Sequence, residues 1–154
     1  MRLFTFCLFL VAIAVPVTSA NAVCYSPREY RASQVRQLQA ELMVAALSCS
    51  RHPQLEFPHK YNAFVRRFGP DLKENAEVLR GHFGRHYGTR REAAFDAFIT
   101  RLANEASSRA MAVEDYCRAS APLFDKVLAL GTGDLESFAA GAVAKVRGVE
   151  VCAR

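Results

Sequence analysis

Two histidines, His82 and His86, lie four residues apart in a segment whose apolar residues recur at helical spacing. On a helix this spacing places two imidazole rings where they can share a Zn or Cu ion. The glutamate that zinc proteases carry directly after the first histidine is absent. On a helical wheel His86 lies at the edge of the apolar stripe and His82 lies further toward the polar side. We therefore expect two half-exposed histidines, and the alternative is a weak metal site completed by His52 or His59.

Arginines concentrate in the same region. Between residues 80 and 91 the chain has no acidic residue and carries four arginines: Arg80, Arg85, Arg90 and Arg91. The planar guanidinium group suits phosphate and carboxylate, and a helix predicted to begin at Thr89 would add the positive partial charge of its N-terminus. We predict an anion-binding face here, for an anionic envelope component or an acidic protein and not for nucleic acid. The alternative is a solvated charged surface.

Two carboxylates, Glu41 and Glu105, interrupt helical segments that are otherwise largely apolar. A bare buried carboxylate is costly, so each must be exposed or hydrogen-bonded. Two carboxylates across a cleft could supply the acid and the base of glycoside hydrolysis. However, Arg101 and Arg109 lie one turn on either side of Glu105, which favours an ion pair. A small hydrolase is therefore an alternative function and not the leading prediction.

Five cysteines divide into one near the start of the chain, Cys7, and four later ones: Cys24, Cys49, Cys117 and Cys152. An even number in an exported chain predicts two disulfides, and no C-x-x-C motif occurs. A helix over residues 27–48 would be about 33 Å long, whereas a disulfide needs Cα atoms within about 7 Å. This excludes Cys24–Cys49. Two pairings stay open: Cys24–Cys117 with Cys49–Cys152, or Cys24–Cys152 with Cys49–Cys117.

The first 22 residues have the features of a secretory leader. Arg2 is followed by a charge-free run over residues 3–17 and by Ala-Asn-Ala at residues 20–22, which matches the A-x-A cleavage rule. The run is shorter than the ~20 residues of a membrane-spanning helix. We therefore predict a signal peptide at residues 1–22 and one helical domain at residues 23–154. After cleavage no transmembrane segment is expected, and the location is periplasmic or secreted.

The domain carries helix signals throughout. Residues 26–29, Ser-Pro-Arg-Glu, form a capping box with proline at the first helical position and predict a helix over residues 27–48. Its second half is apolar all round, which is typical of a central helix. Residues 89–92, Thr-Arg-Arg-Glu, predict a second capping box, and Pro122 should kink or split a helix over about residues 113–130. No strand pattern occurs, so we predict an all-α bundle of about five or six helices with two disulfides.

The composition agrees with one globular domain. The chain has 154 residues, of which 51% are hydrophobic and 23% charged, with 8 Gly and 6 Pro. These values exclude a disordered or fibrous chain. Twenty basic residues against 15 acidic ones give a formal net charge of +5.

Two stretches, LQAELMVAALSC at residues 38–49 and FITRLANEASSRA at residues 98–110, resemble uncharacterised exported α-helical four-cysteine proteins of alphaproteobacteria. The resemblance implies no function. The leading prediction is an exported, non-enzymatic envelope or partner-binding factor that presents the arginines of residues 80–91, with no cofactor. The alternatives are a small periplasmic hydrolase that uses Glu41 and Glu105, and a metal carrier that uses His82 and His86.

Overall fold

The computed structural model describes residues 23–131 and 133–153, so the predicted leader lies outside the described residues. Within them the chain forms six α-helices: α1 (Pro27–Ser48), α2 (Phe57–Arg67), α3 (Gly69–Tyr87), α4 (Arg91–Ala112), α5 (Tyr116–Leu128) and α6 (Leu135–Ala142). Short 3-10 turns, Pro53–Leu55 and Gly88–Arg90, precede α2 and α4. The predicted all-α class is confirmed. In this part of the chain no helix is both long and apolar enough to cross a membrane.

Helix α1 is the centre of the bundle and packs against each of the other five α-helices. It begins at the predicted capping box: the Ser26 hydroxyl accepts a hydrogen bond from the Glu29 backbone N–H, and the Glu29 carboxylate accepts one from the Ser26 backbone N–H at 2.8 Å. These bonds satisfy backbone donors that the first helical turn leaves without partners. The predicted bounds of α1 are confirmed.

The core divides into two clusters, in which α1 packs against different sets of helices. The α5 cluster lies between α1, α2, α5 and α6, and its largest buried side chains are Phe57, Phe64, Phe68 and Phe124. The α4 cluster lies between α1, α3, α4 and residues 143–153, and it contains Leu79, Phe83, Phe95 and Phe98. Buried polar side chains occur only on α1 and α3 among the described residues: Glu29, Ser33, Gln34, Gln37, Asn75 and His82.

The disulfides join Cys24 to Cys152 and Cys49 to Cys117, with Cα–Cα distances of 4.9 and 5.6 Å. This is the second of the two pairings that the sequence leaves open. A parallel β-bridge lies beside the first disulfide. The Tyr25 backbone N–H donates to the Glu150 carbonyl at 2.8 Å, and the Tyr25 carbonyl accepts from the Cys152 N–H at 2.9 Å. Both ends of the described chain are therefore fixed at one place.

One predicted feature near the helix junctions is wrong. Helix α4 begins at Arg91 and its N-cap, Arg90, makes no side-chain cap bond, so Thr89 does not form the second capping box. Gly88 has φ 55° and leads the chain into a 3-10 turn first, which moves the helix start two residues on. Helix α5 continues through Pro122 as one helix and does not split there.

Candidate functional site

The predicted anion-binding arginines lie at the junction of α3 and α4, and much of their charge is already paired. Arg80 donates to Glu77 at 3.1 Å and to Glu92 at 3.2 Å. Arg91 also donates to Glu92, at 3.1 Å. Glu92 therefore serves two guanidinium groups at once, and this part of the surface carries mixed charge.

The other two arginines of the set differ from each other. Arg85 is ion-paired with Glu29, which is a buried carboxylate, while 59% of the Arg85 side chain stays exposed. Arg90 is exposed and has no ion-pair partner among residues 23–131 and 133–153. The predicted helix N-terminus lies two residues later than expected, because α4 starts at Arg91. It is therefore at Arg90 and Arg91 and not at Thr89.

Glu29 is the centre of a buried cluster that the sequence analysis missed. Its carboxylate accepts hydrogen bonds from the Ser26 backbone N–H, from His82 Nδ1 at 3.1 Å and from Arg85. The capping box predicts the first of these contacts, because it is local. The other two join residues 53 and 56 positions apart, and no periodicity or spacing in the sequence indicates them.

The prediction of a half-exposed His82 is wrong, because its side chain is fully buried. The ring stacks on Tyr25 with centroids 3.8 Å apart, and Nδ1 faces Glu29. The neutral ring therefore carries its proton on Nδ1, and Nε2 has no hydrogen-bond partner among the described residues. A second proton would create a buried donor at Nε2, which is unfavourable.

The ionisation of the cluster follows from these contacts. Burial lowers the pKa of His82 below its usual 6.5, although the hydrogen bond to Glu29 opposes this effect. Burial acts to raise the pKa of Glu29, but the bonds from Ser26, His82 and Arg85 outweigh it and hold the pKa below 4.5. At neutral pH the cluster is thus a neutral imidazole, a carboxylate and a guanidinium.

The two histidines of the metal hypothesis lie close together, but their surroundings differ. The ring centroids of His82 and His86 are 4.7 Å apart, and His86 is exposed whereas His82 is buried. Within the described part of the chain no three His, Cys, Asp or Glu side chains are placed to hold one metal ion. Neither His52 nor His59 joins the pair as a third ligand, and the metal carrier remains a hypothesis without a structural centre.

The carboxylates of the hydrolase hypothesis are both held by arginines. Glu41 is ion-paired with Arg109, and Glu105 accepts from Arg101 at 3.2 Å, with Arg147 at 3.9 Å. Both carboxylates are mostly buried. The four-residue spacing correctly predicts Arg101 as the partner of Glu105. Arg109, one turn on the other side of Glu105, pairs instead with Glu41 of α1.

Three surface hollows formed by the described residues have volumes of about 300 Å³ or more. The largest, about 580 Å³, lies between α5 and α6 and contains none of the predicted site residues. A groove of about 480 Å³, whose surface is more apolar than polar, follows α4 past Thr100, Asn104 and Ser108 and includes Glu105. A third hollow of about 300 Å³ lies between the ends of α3 and α1, with aromatic walls. Its lining includes Tyr25 and Arg101, which no sequence motif indicates.

Many charged groups among the described residues are thus paired with one another. The carboxylates Glu29, Glu41 and Glu105 each contact at least one guanidinium. Arginine stays charged at every accessible pH, so such contacts act as fixed charge and not as proton donors.

Comparison of the chain with family models, with curated proteins and with solved structures finds no match.

Proposed function

We propose that the protein is exported to the periplasm or the cell exterior and acts there as a non-enzymatic binding factor. Its ligand would be a phosphate-bearing component of the cell envelope. The contact would be made by the arginine face, which consists of Arg80, Arg85, Arg90 and Arg91. The observation that carries the proposal is the exposed Arg90, which has no ion-pair partner among the described residues.

The disulfides support the export part of the proposal. They join residues 128 and 68 positions apart, and such bonds form and persist in oxidising compartments. The leader-like features of residues 1–22 point in the same direction.

The charge balance supports anion binding at the arginine face. Its four guanidinium groups contact three carboxylates, Glu29, Glu77 and Glu92, so 4 − 3 leaves one positive charge in excess. Glu29 is buried and contacts the buried His82. By contrast, 57% of the Arg91 side chain is exposed. Arg90 and Arg91 are therefore the groups best placed to contact a phosphate.

The proposal is tested by vesicle binding at low and at moderate salt. Vesicles of phosphatidylcholine alone are compared with vesicles that also contain phosphatidylglycerol. The protein is expressed from its full sequence and purified after export. Binding should require the anionic lipid and weaken with salt, because exposed charges are screened over about 10 Å at 0.1 M. Absence of binding at low salt would overturn the proposal.

A matched pair of variants separates a local site from net charge. Arg90→Ser with Arg91→Ser removes two charges from the arginine face, and Arg28→Ser with Arg118→Ser removes two exposed charges elsewhere. We expect the first pair to reduce binding several-fold and the second to leave it nearly unchanged. Equal losses would show that only net charge matters. Arg85 is left intact, because its contact with buried Glu29 would mix stability with binding.

A further inference from the structure

The aromatic pocket is the 300 Å³ hollow between the ends of α3 and α1, and four parts of the chain form it. Helix α3 contributes Phe83 and Tyr87, and α4 contributes Phe98 and Arg101. The segment before α1 adds Tyr25 and Val23, and the C-terminal segment adds Gly148. The Cys24–Cys152 disulfide fixes the last two segments against each other. A pocket closed in this way is largely preformed, which favours binding of a small ligand.

Tyr25 gives the aromatic pocket a hydrogen-bond donor without a use in the fold. The residue is only 5% exposed, yet it lines the pocket, so its accessible part faces the hollow. Its hydroxyl makes no hydrogen bond to any other described residue and is not among the buried polar atoms without a partner, so it is open to the hollow. Burial raises the pKa of Tyr25 to about 12, and Arg101 is the strongest charge that opposes this. The phenol is therefore a neutral donor beside Arg101.

Arg101 supplies the positive charge at the same place. Its guanidinium group lies 5.3 Å from the centroid of the Phe98 ring. Its Nη1 donates to Glu105 at 3.2 Å and to the Arg147 carbonyl at 2.5 Å. These bonds fix the group in position, and they leave Nε and Nη2 without hydrogen-bond partners among the described residues. An anion in the pocket would meet a donor fork that is already oriented.

We propose that the aromatic pocket binds a small aromatic monocarboxylate, with its carboxylate between the Tyr25 hydroxyl and the Arg101 guanidinium group. The ring of the ligand would lie among Phe83, Tyr87 and Phe98. The volume of about 300 Å³ is at the lower end for ligand pockets and suits one ring. Glu105 already offsets part of the Arg101 charge, so a monoanion fits the site better than a phosphate dianion does.

The test is a titration of the exported protein with benzoate and phenylacetate, followed by calorimetry and by NMR of the backbone amides. We expect a dissociation constant of about 1 mM or lower, with shifts at Tyr25, Phe98 and Arg101. Benzamide and benzyl alcohol lack the charge and should bind about tenfold more weakly or worse. Cyclohexanecarboxylate keeps the charge without the aromatic ring and should also bind more weakly.

Two substitutions on α4 test the place of binding without removing a polar group. Ala97 lines the pocket and Ala93 does not, although both are exposed positions of the same helix. Ala97→Leu should abolish binding by filling the hollow, and Ala93→Leu should leave it within about twofold of the unchanged protein.

Two further variants test the donors. Tyr25→Phe keeps the ring on His82 but removes the hydroxyl, and Arg101→Gln removes the charge; each should weaken binding about tenfold. Arg118→Gln, which removes an exposed charge on α5 outside the aromatic pocket, is the control. Thermal melts verify that each variant is folded. The proposal is overturned if no aromatic carboxylate binds, or if Ala97→Leu and Ala93→Leu bind equally well.

Discussion

The two core clusters share α1 but are built from different chemistry. The α5 cluster is apolar and aromatic, and Cys49 of the second disulfide lies within it. The α4 cluster borders the buried group of Glu29, His82 and Arg85, and it opens into the aromatic pocket. One side of the central helix thus has an apolar core, with a hollow of about 580 Å³ between α5 and α6 outside it. The other side holds oriented charge beside the aromatic pocket.

The difference shows where polar groups are tolerated in a small bundle. Burying a carboxylate and an imidazole is unfavourable unless each finds a partner. Glu29 has three donors, while Gln37 Oε1 and Asn75 Oδ1 have no partner among the described residues. A core optimised only for stability would have apolar residues at those positions.

The largest expected effects come from the disulfides, which brace the two clusters separately. Replacing Cys24 and Cys152 by alanine should lower the free energy of unfolding by about 5 kcal/mol, and replacing Cys49 and Cys117 by about 4 kcal/mol. The values follow from the lengths of the closed loops, with sequence separations of 128 and 68 residues. Urea denaturation measures both. A loss under about 1 kcal/mol for either pair would show that packing alone holds that cluster.

Phenylalanine truncation compares the clusters directly. Phe124 is fully buried and stacks on Phe57 with centroids 4.4 Å apart, so Phe124→Ala should destabilise by about 3–5 kcal/mol. Phe98→Ala should cost about 1 kcal/mol less, because Phe98 already borders an open pocket. Urea midpoints and slopes of the two variants provide the measurement. Equal losses would show that the aromatic pocket does not weaken the packing of Phe98.

The pH dependence of stability should depend on the α4 cluster. The pKa of folded His82 is lowered, so the unfolded chain binds more protons below about pH 6.5 and stability falls from there as the pH drops. The pKa of Glu29 is also lowered, so its contribution is complete above about pH 4.5 and is lost as the pH falls through the lower folded value. Urea denaturation from about pH 2 to about pH 8 measures both slopes.

Variants assign these slopes to residues. His82→Gln should flatten the fall below about pH 6.5, and Glu29→Gln should remove the fall at lower pH. His52→Gln is the control, since His52 is exposed and stays in water in both states. An unchanged slope in His82→Gln would show that the buried imidazole does not govern the acid response.

The smallest expected effect concerns an incompletely satisfied amide. Gln37 is 2% exposed, and its Oε1 has no partner among the described residues. Gln37→Leu keeps most of the volume and removes the buried acceptor, so it should be neutral or stabilise by up to about 1 kcal/mol. The change in urea midpoint measures it. A loss above about 1 kcal/mol would mean that Gln37 is a partner in the polar network.

Local signals in the sequence predict much of the fold. The capping box at residues 26–29 correctly predicts the start of α1, and the helical spacing up to Cys49 correctly predicts its end. The length of α1 correctly excludes a Cys24–Cys49 bond. The second box fails at Thr89, because the preceding Gly88 adopts a positive φ that a list of capping residues does not register. Pairing of the remaining cysteines depends on how helices pack, which spacing along the chain does not determine.

The candidate sites were less predictable, since their contacts join distant residues. A helical wheel places His82 toward the polar side, but Glu29 and Tyr25, both more than 50 positions away, cover it in the fold. The aromatic pocket likewise needs residues from both ends of the chain. By contrast the Arg101–Glu105 contact spans four positions, and the sequence indicates it.

The Cys24–Cys152 disulfide and the Tyr25–Val151 bridge make the described chain a closed ring in mechanical terms. If the described part of the chain is pulled at residues 23 and 153, the tension passes from residue 24 to residue 152 through one covalent bond. The six helices between them carry no load. Residues 23 and 153 also lie at the same end of the bundle, beside the aromatic pocket. Tethering the chain at these two residues would therefore leave the helical bundle unstretched until that disulfide is reduced.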